Sequence, residues 1–385
     1  MTAKKKADGA PDAVSVEVDR DALLAALRAV GDVVEARNTI PVLANLLLAV
    51  EDGVMTVTGT DLDVEVSATL PATGAIRTTA PKDKVLAAVA SFRPGALTIA
   101  PVDGRSALTI RQGRGVRTIT TLPADDFPKR TAPETALRFT MPAKGLLRLF
   151  ETTRIAMSNE ETRYYLVGVL LHIADRKLRA AATDGLRLIR AECAAPKGAS
   201  KMADIIVPAK TVTHLCKLLA KVEADVAIAV AEGLLTIDLP GIAVWSKLVD
   251  GAFPDYTRVI PAEGKNRLSV VRDALVDAAA AVTAVVNAEG DRIKHRGIAF
   301  DLAPGEEHEL SARDQAGSSA SEPFAATYVG EPIRFGMNSQ LLTQVCGVFA
   351  EGAVLSAAID GPGAAVRIVS DKDPDVLAVI MPMRA

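Results

Sequence analysis

The sequence predicts an α+β fold built as three tandem domains, and three observations carry that prediction. One phrase recurs, as VSVEVDRDALLAAL from Val14, LRFTMPAKGLLRLF from Leu137 and NRLSVVRDALVDAA from Asn266. In each copy an alternating apolar strand runs into a helix start and then an apolar stripe at helical spacing, about every 125 residues. A fainter echo splits each third again: TTAPKDKVLAAVASF from Thr78, DIIVPAKTVTHLCKLLA from Asp204 and IRFGMNSQLLTQVCGVF from Ile333 also read strand, then helix. Between the helices lie hairpin signatures, strand pairs with turn residues at their tips, such as LLLAVEDGVMTVTG, DVAIAVAEGLLTIDL and VLSAAIDGPGAAVRIVS.

Each element follows from these patterns. The unit is a strand, a helix and about three further antiparallel strands, repeated six times. Residues 1–13 read as a disordered tail and 14–136, 137–264 and 265–385 as the three domains, each with two helices. Pro81, Pro142 and Pro208 are expected just inside their helices, where a missing N–H costs nothing, and Asn338 is expected to cap the last helix. At 49% hydrophobic but only 4% aromatic, the core must be mostly Ala, Val, Leu and Ile. The leading MTAKKKADGAPDA is polar, and no apolar run approaches the ~18 residues of a membrane span, which points to a cytoplasmic protein with no membrane partner.

The residue types that carry chemistry are scattered. Cys193, Cys216 and Cys346 form no CxxC pair, and His172, His214, His295 and His308 fall in no metal-ligand spacing. There is no phosphate loop and no nucleophile elbow, and GRGVR near Gly113 reads as a hairpin turn. The expectation is therefore no catalytic set, no metal and no cofactor.

What remains is a repeated scaffold with basic residues on its helices, and its strings IPVLANLLL, GTDLDVE, TLPADDFP, RYYLVGVL, ATDGLRL, SKLVDGAFPDY and VIMPMRA resemble the bacterial sliding clamps, beta subunits of the replicative DNA polymerase III, over nearly the whole chain from Val14. The resemblance implies three pseudo-repeated DNA-clamp domains with two helices each facing a ring interior, antiparallel sheets outside, and a head-to-tail dimeric ring. Helix geometry gives the same answer: twelve helices side by side at ~9–10 Å leave an opening of ~27 Å, enough for a duplex, whereas the six of one chain leave ~8 Å. A closed ring therefore needs two chains.

Net charge is −3, from 44 Lys and Arg against 47 Asp and Glu, which argues against tight phosphate gripping but suits a ring that slides. Candidate inward cations are Arg28, Lys82, Lys84, Arg148, Arg154, Lys210, Lys217 and Lys221, each equally readable as part of a solvated helix face, while Asp273 and Asp277 keep the lining from being uniformly positive. Arg163, Tyr164 and Tyr165 form an unusual cluster; read as a strand, it turns one tyrosine toward DNA and the other into packing. Arg37 resembles a loop arginine that contacts DNA in the family. Glu160 replaces a polar neutral residue and weakens the case for that loop near phosphate, and Arg292 and Lys294 lie in a segment, Asn287–His295, longer than usual.

By the same resemblance, a groove for short linear peptides is lined by Tyr165, Leu166, Thr183, Gly185, Leu186, Arg187, Leu188, Pro254, Arg258, Val259, Asn338, Met381, Pro382, Met383 and Arg384. Its aliphatic and Met-rich character suits one or two anchors at ~2–3 kcal/mol each and hence micromolar, exchangeable binding. For VIMPM, a C-terminal core strand is an equally good reading. Leu186 and Leu341 stand where His and an aromatic are common, making the groove more aliphatic. The dimer interface would pair a strand near Arg117, Thr118 and Ile119 with a helix near Val285 and Val286. The implied partners are duplex DNA without sequence preference, a second copy of the chain, the polymerase catalytic subunit, a clamp loader, and other polymerases and repair proteins. Two rivals belong to other classes: a six-repeat enolpyruvyl-transferase-like enzyme, disfavoured because the recurrence divides the chain in thirds and not halves, and an open repeat scaffold binding carbohydrate or protein.

Overall fold

The computed structural model describes residues 15–35, 39–130, 136–287, 296–305 and 308–384. The expected tail, Arg37, His295, Arg292, Lys294 and Ala385 lie outside the described residues. The first third runs β1 (Val16–Asp19), α1 (Arg20–Gly31), β2 (Asn45–Glu51), β3 (Val54–Thr60), β4 (Val64–Thr73), β5 (Ile76–Pro81), α2 (Lys82–Ala90), β6 (Ala96–Pro101), β7 (Ala107–Gln112) and β8 (Gly115–Thr120). The middle third repeats that order as β9 (Leu137–Pro142), α3 (Ala143–Thr153), β10 (Gly168–Ala174), β11 (Lys177–Thr183), β12 (Arg187–Ala194), β13 (Ile205–Pro208), α4 (Ala209–Leu219), β14 (Asp225–Ala231), β15 (Leu234–Leu239) and β16 (Ile242–Lys247). The last third has β17 (Asn266–Val271), α5 (Arg272–Val286), β18 (Gly297–Leu302), β19 (His308–Arg313), β20 (Ser319–Phe324), a short extra β21 (Ala326–Val329), β22 (Ile333–Asn338), α6 (Ser339–Cys346), β23 (Val354–Ile359), β24 (Val366–Ser370) and β25 (Val376–Ile380).

The strand-to-helix junctions form for local reasons. Asp19 ends β1 and its carboxylate accepts from the Asp21 and Ala22 amides at 3.0 and 2.9 Å, satisfying two of the free N–H groups of α1. Asn338 does the same for α6, accepting from Gln340 and Leu341. The three prolines sit one residue earlier than expected. Pro81, Pro142 and Pro208 each close a strand, and Pro81 keeps extended angles (φ −55°, ψ 125°) outside the first helical turn. The ring's missing N–H ends the strand ladder there, and the helix starts on the next residue.

Two compact units result, residues 1–143 with 217–247 and residues 144–216 with 248–385. The first holds a 12-stranded sheet, ordered β8-β7-β6-β1-β4-β16-β15-β14-β9, with β2, β3 and β5 branching from β4. The second holds a nine-stranded sheet, β13-β10-β11-β12-β25-β24-β23-β17-β21, and a four-stranded one, β20-β19-β18-β22. All pairings are antiparallel. In the first unit α1 packs on β3 and β4, burying Leu23, Leu27 and Val30 and leaving Asp21, Ala25, Arg28 and Asp32 exposed on the opposite face. In the second, α5 packs on β19 and β20 through Leu275, Ala279 and Val282, over a Phe300–Phe335 ring stack at 4.9 Å.

Repeat boundaries do not interrupt the sheets. β16, last strand of the middle third, pairs with β4, fourth strand of the first, with Val244 opposite Val66. β25, last strand of the last third, pairs with β12, fourth strand of the middle one, with Ala378 opposite Ile189. The remaining member of each set lacks that partner among the described residues: β8 pairs only with β7 and β20 only with β19.

Gly168 opens β10 opposite Pro208, and a Cβ there would lie 2.4 Å from the Val207 carbonyl oxygen. Gly168→Ala is expected to cost ~2–4 kcal/mol because backbone must move. Gly233→Ala, at φ 67° in open space, should cost only ~1 kcal/mol. Urea unfolding of the two variants beside the parent checks the contrast.

Candidate functional site

The candidate cations divide by what they already touch. Arg28, Lys84 and Lys221 are exposed, with no carboxylate in salt-bridge range among the described residues. Lys217 reaches Asp32 at 2.7 Å in a pair more than half exposed, and Arg154 pairs with Glu151 at 3.4 Å. Lys210 is half-buried at the start of α4. Three expectations of free cations are corrected. Lys82 is mostly covered and donates to the Val34 carbonyl at 3.1 Å, bracing the end of α1. Arg148 lies between Asp373 at 2.6 Å and Asp375 at 3.4 Å, so its charge is already balanced within the fold. Arg163 donates through Nε to Glu160 at 2.8 Å, and that carboxylate, held low first by the Thr162 hydroxyl and then by Arg163, neutralises it. On α5, Asp273 accepts from the Gly352 amide at 2.8 Å while Asp277 is exposed.

Tyr164 and Tyr165 are not in a strand. They lie in a 3-10 turn, Glu161–Leu166, where successive side chains differ by about 120°. Tyr164 is exposed, Tyr165 is half-buried, and the rings meet edge to face at 5.6 Å. One therefore faces out and the other packs, but through helical geometry and not strand alternation. Gly251 fits against both, since a Cβ there would lie 3.2 Å from each.

Most of the expected peptide surface is brought together in the second unit. Its floor is a cluster of Leu170, Ala181, Leu188, Ile206, Tyr256, Leu377 and Val379, with Tyr165, Val249, Phe253 and Ile260 packed against it. One wall is the tight turn between β11 and β12. The Thr183 hydroxyl donates to the Arg187 carbonyl at 2.6 Å, Asp184 accepts from the Leu186 and Arg187 amides at 2.9 and 3.0 Å, and Gly185 supplies the left-handed φ of 90°. The adjoining rim is the tail after β25. Met381 donates its amide to the Leu186 carbonyl at 2.8 Å and Met383 to Gly336 at 2.9 Å, so the tail is tied at both ends.

Five large apolar side chains remain exposed on these segments: Tyr164 (54%), Leu186 (55%), Val259 (57%), Met381 (40%) and Met383 (42%). They are where new apolar contact can be made. Pro254, Arg258 and Arg384 are exposed on the same segments; Thr183, Pro382 and Asn338 are half-buried. Two expected contacts are corrected, because Leu166 and Leu188 are 4% and 2% exposed and act as floor, not as contact surface. Arg187 is also not a free cation. It is bound to Asp184 at 3.1 Å and reaches Gln344 of α6, acting as a strut under the turn.

Sequence reasoning missed Phe253 and Tyr256, although the string GAFPDY contains both. Tyr256 is buried and its hydroxyl lies 2.8 Å from His172 Nε2; burial raises the phenol and lowers the imidazole, keeping both neutral near pH 7. Cys216 and Cys346 are buried thiols, lifted by that burial to about 11 and about 12. Among the described residues no three His, Cys, Asp or Glu side chains are grouped to hold a metal ion, and no helix is long and apolar enough to cross a membrane.

The expected interface residues also divide. Arg117 and Thr118 are exposed on β8, the former stacked 4.7 Å over the Phe92 ring, whereas Ile119 is buried in the core and offers only backbone. On α5, Val285 is 49% exposed and Val286 is buried.

Family models for the N-terminal, central and C-terminal domains of the DNA polymerase III beta subunit match residues 14–131, 140–255 and 257–384. The beta sliding clamp of Caulobacter vibrioides is 36% identical over 382 residues, covering 96% of this chain and all of that one. The Escherichia coli K12 clamp is 32% identical over 373 residues, covering 95% and 99%. Among solved structures, a Bartonella birtlesii sliding clamp bound to griselimycin superposes with a TM-score of 0.90 at 34% identity, covering 97% of this chain and all of that one. A Caulobacter crescentus clamp with polyethylene glycol bound to the region proposed for beta-motif tethering gives 0.91 at 34%, with the same coverage. The enolpyruvyl-transferase-like reading finds no support among them.

Asp373 is 4% exposed and accepts from the Ala350 amide at 2.8 Å, Arg148 at 2.6 Å and the Ser370 hydroxyl at 3.1 Å. Burial alone would raise its pKa, but these three donors outweigh it and hold the carboxyl below the ordinary range. With the folded value depressed, its stabilisation is full above the unfolded value of about 3.9 and is lost as pH falls through the folded one. Asp373→Asn should therefore cost ~1–3 kcal/mol near neutral pH, with the gap from the parent narrowing in acid. Denaturant midpoints at about pH 7 and about pH 3 read this directly.

Proposed function

We infer the working surfaces of this chain from one premise: it belongs to the DNA polymerase III beta-subunit family, the beta sliding clamps. It is a DNA sliding clamp that tethers the polymerase, and not an enzyme. Residues 14–136, 137–264 and 265–385 are its three domains, with the polar residues 1–13 as a tail.

The observation that carries the closed form is the pairing at the repeat boundaries. The last strand of one third joins the fourth strand of the third before it, twice within the chain. By that rule β8 of one protomer is the partner of β20 of the next. Both strands offer exposed residues, Arg117 and Thr118 on one side and Ser319, Ser321 and Glu322 on the other. Val285 is exposed on α5, which packs on β20, and adds apolar contact beside the new pair. Two such contacts close a head-to-tail dimer and remove both open edges.

Duplex DNA passes through that ring without sequence preference. Arg28, Lys84, Lys217 and Lys221 provide a thin cationic field, with Tyr164 exposed as a further contact and Arg37 as a DNA-contacting arginine by resemblance to the family. Because the overall charge is −3, the field centres DNA without trapping it, and processivity comes from topology. A separate ATP-driven loader opens the ring. The groove rimmed by Leu186, Val259, Met381 and Met383 takes short linear peptides from the polymerase catalytic subunit and from other polymerases and repair proteins, each client exchanging at micromolar affinity. The compartment is the cytoplasm, where the chromosome lies.

Topological retention has a direct test. Loaded protein should stay on nicked circular DNA at raised salt and run off linear DNA; equal loss from both would remove the encircling reading. For the groove, a fluorescent peptide with aliphatic and aromatic anchors should bind the intact protein and lose at least about tenfold affinity when Met381–Ala385 are deleted. Unchanged affinity would remove the groove assignment.

A further inference from the structure

The turn that walls the groove has a twin in the first unit. Thr60-Asp61-Leu62-Asp63-Val64 repeats Thr183-Asp184-Gly185-Leu186-Arg187 bond for bond. The Thr60 hydroxyl donates to the Val64 carbonyl at 2.8 Å, and Asp61 accepts from the Asp63 and Val64 amides at 2.9 and 2.7 Å. Leu62 holds the left-handed φ of 82° where the groove has Gly185. The next contact is also conserved in geometry: Lys247 donates its amide to the Asp63 carbonyl at 2.8 Å, as Met381 does to Leu186. Beneath it Val42, Leu43, Leu47 and Phe127 form a small apolar cluster, standing where Tyr165, Leu166, Leu170 and Phe253 stand in the second unit.

The twin differs in the residues that would meet a ligand. The apolar rim pair Leu186 and Met381 becomes Asp63 and Lys247, joined at 2.9 Å. The floor pair Leu188 and Tyr256 becomes Glu65 and Arg130, joined at 3.2 Å, with Arg130 also donating to the Leu62 carbonyl at 2.8 Å across the turn. Glu65 and Arg130 side chains are only 12% and 18% exposed. Burial lifts the Glu65 carboxyl, partly opposed by Arg130, so the pair carries a desolvation cost that apolar residues would not. In the same third Ile40, Leu62 and Leu122 remain exposed, apolar residues left open while the Glu65–Arg130 pair occupies part of the floor.

We propose that the first third carries a second copy of the peptide-binding surface, held shut by the ion pairs Glu65–Arg130 and Asp63–Lys247, and that these four residues limit each chain to one bound peptide. The inference rests on the peptide reading of the groove in the second unit. A peptide anchor entering the first copy would have to displace the largely covered Glu65–Arg130 pair and bury charged Asp63 and Lys247 at the rim, a cost that the Leu188, Tyr256, Leu186 and Met381 surface does not impose.

The test replaces the charged residues by those of the open groove, as Glu65→Leu, Arg130→Tyr, Asp63→Leu and Lys247→Met together. Titration calorimetry with the fluorescent anchor peptide reads stoichiometry, and the unfolding transition and solution mass verify the fold. Wild-type protein should bind one peptide per chain and the fourfold variant two, the second within about tenfold of the first in affinity. Deleting Met381–Ala385 should then leave one site in the variant and none in the wild type. The milder Glu65→Leu/Arg130→Tyr variant should show a weaker second site, and it decides the matter if the fourfold change does not fold. One site per chain in a folded variant, falling to none on tail deletion, overturns the proposal while leaving the groove reading intact. Binding of unchanged affinity after tail deletion in the wild type removes the groove reading instead, and absence of binding in every protein removes both.

Discussion

An antiparallel strand pair across each repeat boundary is the constraint from which the rest follows. A sheet edge must be paired, covered or spoiled, because free N–H and C=O rows recruit other strands. Here each third ends in a strand that completes the sheet of the third before it, as β16 does for β4 and β25 for β12. The compact units consequently cut through the middle third and not between thirds. Its strands β9, β14, β15 and β16 belong to the first unit, and β10 to β13 to the second. A repeat that contributes half its strands to each neighbour has no separate core, so the evolutionary unit and the packing unit are different stretches of chain.

The same economy governs charge. Helix cations are largely answered by carboxylates of the chain itself: Arg148 by Asp373 and Asp375, Arg163 by Glu160, Lys217 by Asp32. Exposed pairs such as Lys217–Asp32 are worth little and leave a dipolar surface that a polyanion can approach. Partly covered ones such as Arg148–Asp373, whose carboxylate is buried, serve the fold. A protein that must hold DNA while letting it pass gains from a weak, interrupted positive field, and the balance of −3 over the chain is in keeping with that.

How far this was legible in the sequence depends on the range of the interactions involved. The repeats, the order of strands and helices and the Asn338 cap are local, and a reader of the letters finds them. The proline positions miss by one residue because a strand and a helix can both accept proline at their shared junction. The turn at Tyr164 and Tyr165 reads as a strand because two short 3-10 pieces broken by a kink at Arg163 (φ −107°, ψ 52°) have no period long enough to distinguish them from one. Arg148 and Lys82 read as free cations because their partners lie 48 residues away for Lys82 and as much as 227 away for Arg148, beyond any spacing rule. Ile119, Leu166, Leu188 and Val286 were named from resemblance, which identifies a neighbourhood but not which alternate side chain of a strand or helix turns outward.

The groove illustrates why boundary pairing and function are inseparable. Leu186 lies one residue before β12 and Met381 one residue after β25, and the bond between their backbones is the last rung of the pair that joins the two thirds. The rim exists only while that pair is formed, and a ligand that bridges it binds the paired state in preference to any opened one. On the proposed reading of the groove, peptide binding stabilises the boundary by the linkage that couples any ligand to the state it selects. Position 186 itself accepts a Leu, and position 63 an Asp, because the turn's side-chain hydrogen bonds are made by Thr and Asp three and two residues earlier, and the rim residue contributes only its backbone to them. A rim residue freed from structural duty can change chemistry without disturbing the fold, which is how copies of one scaffold come to differ in what they bind.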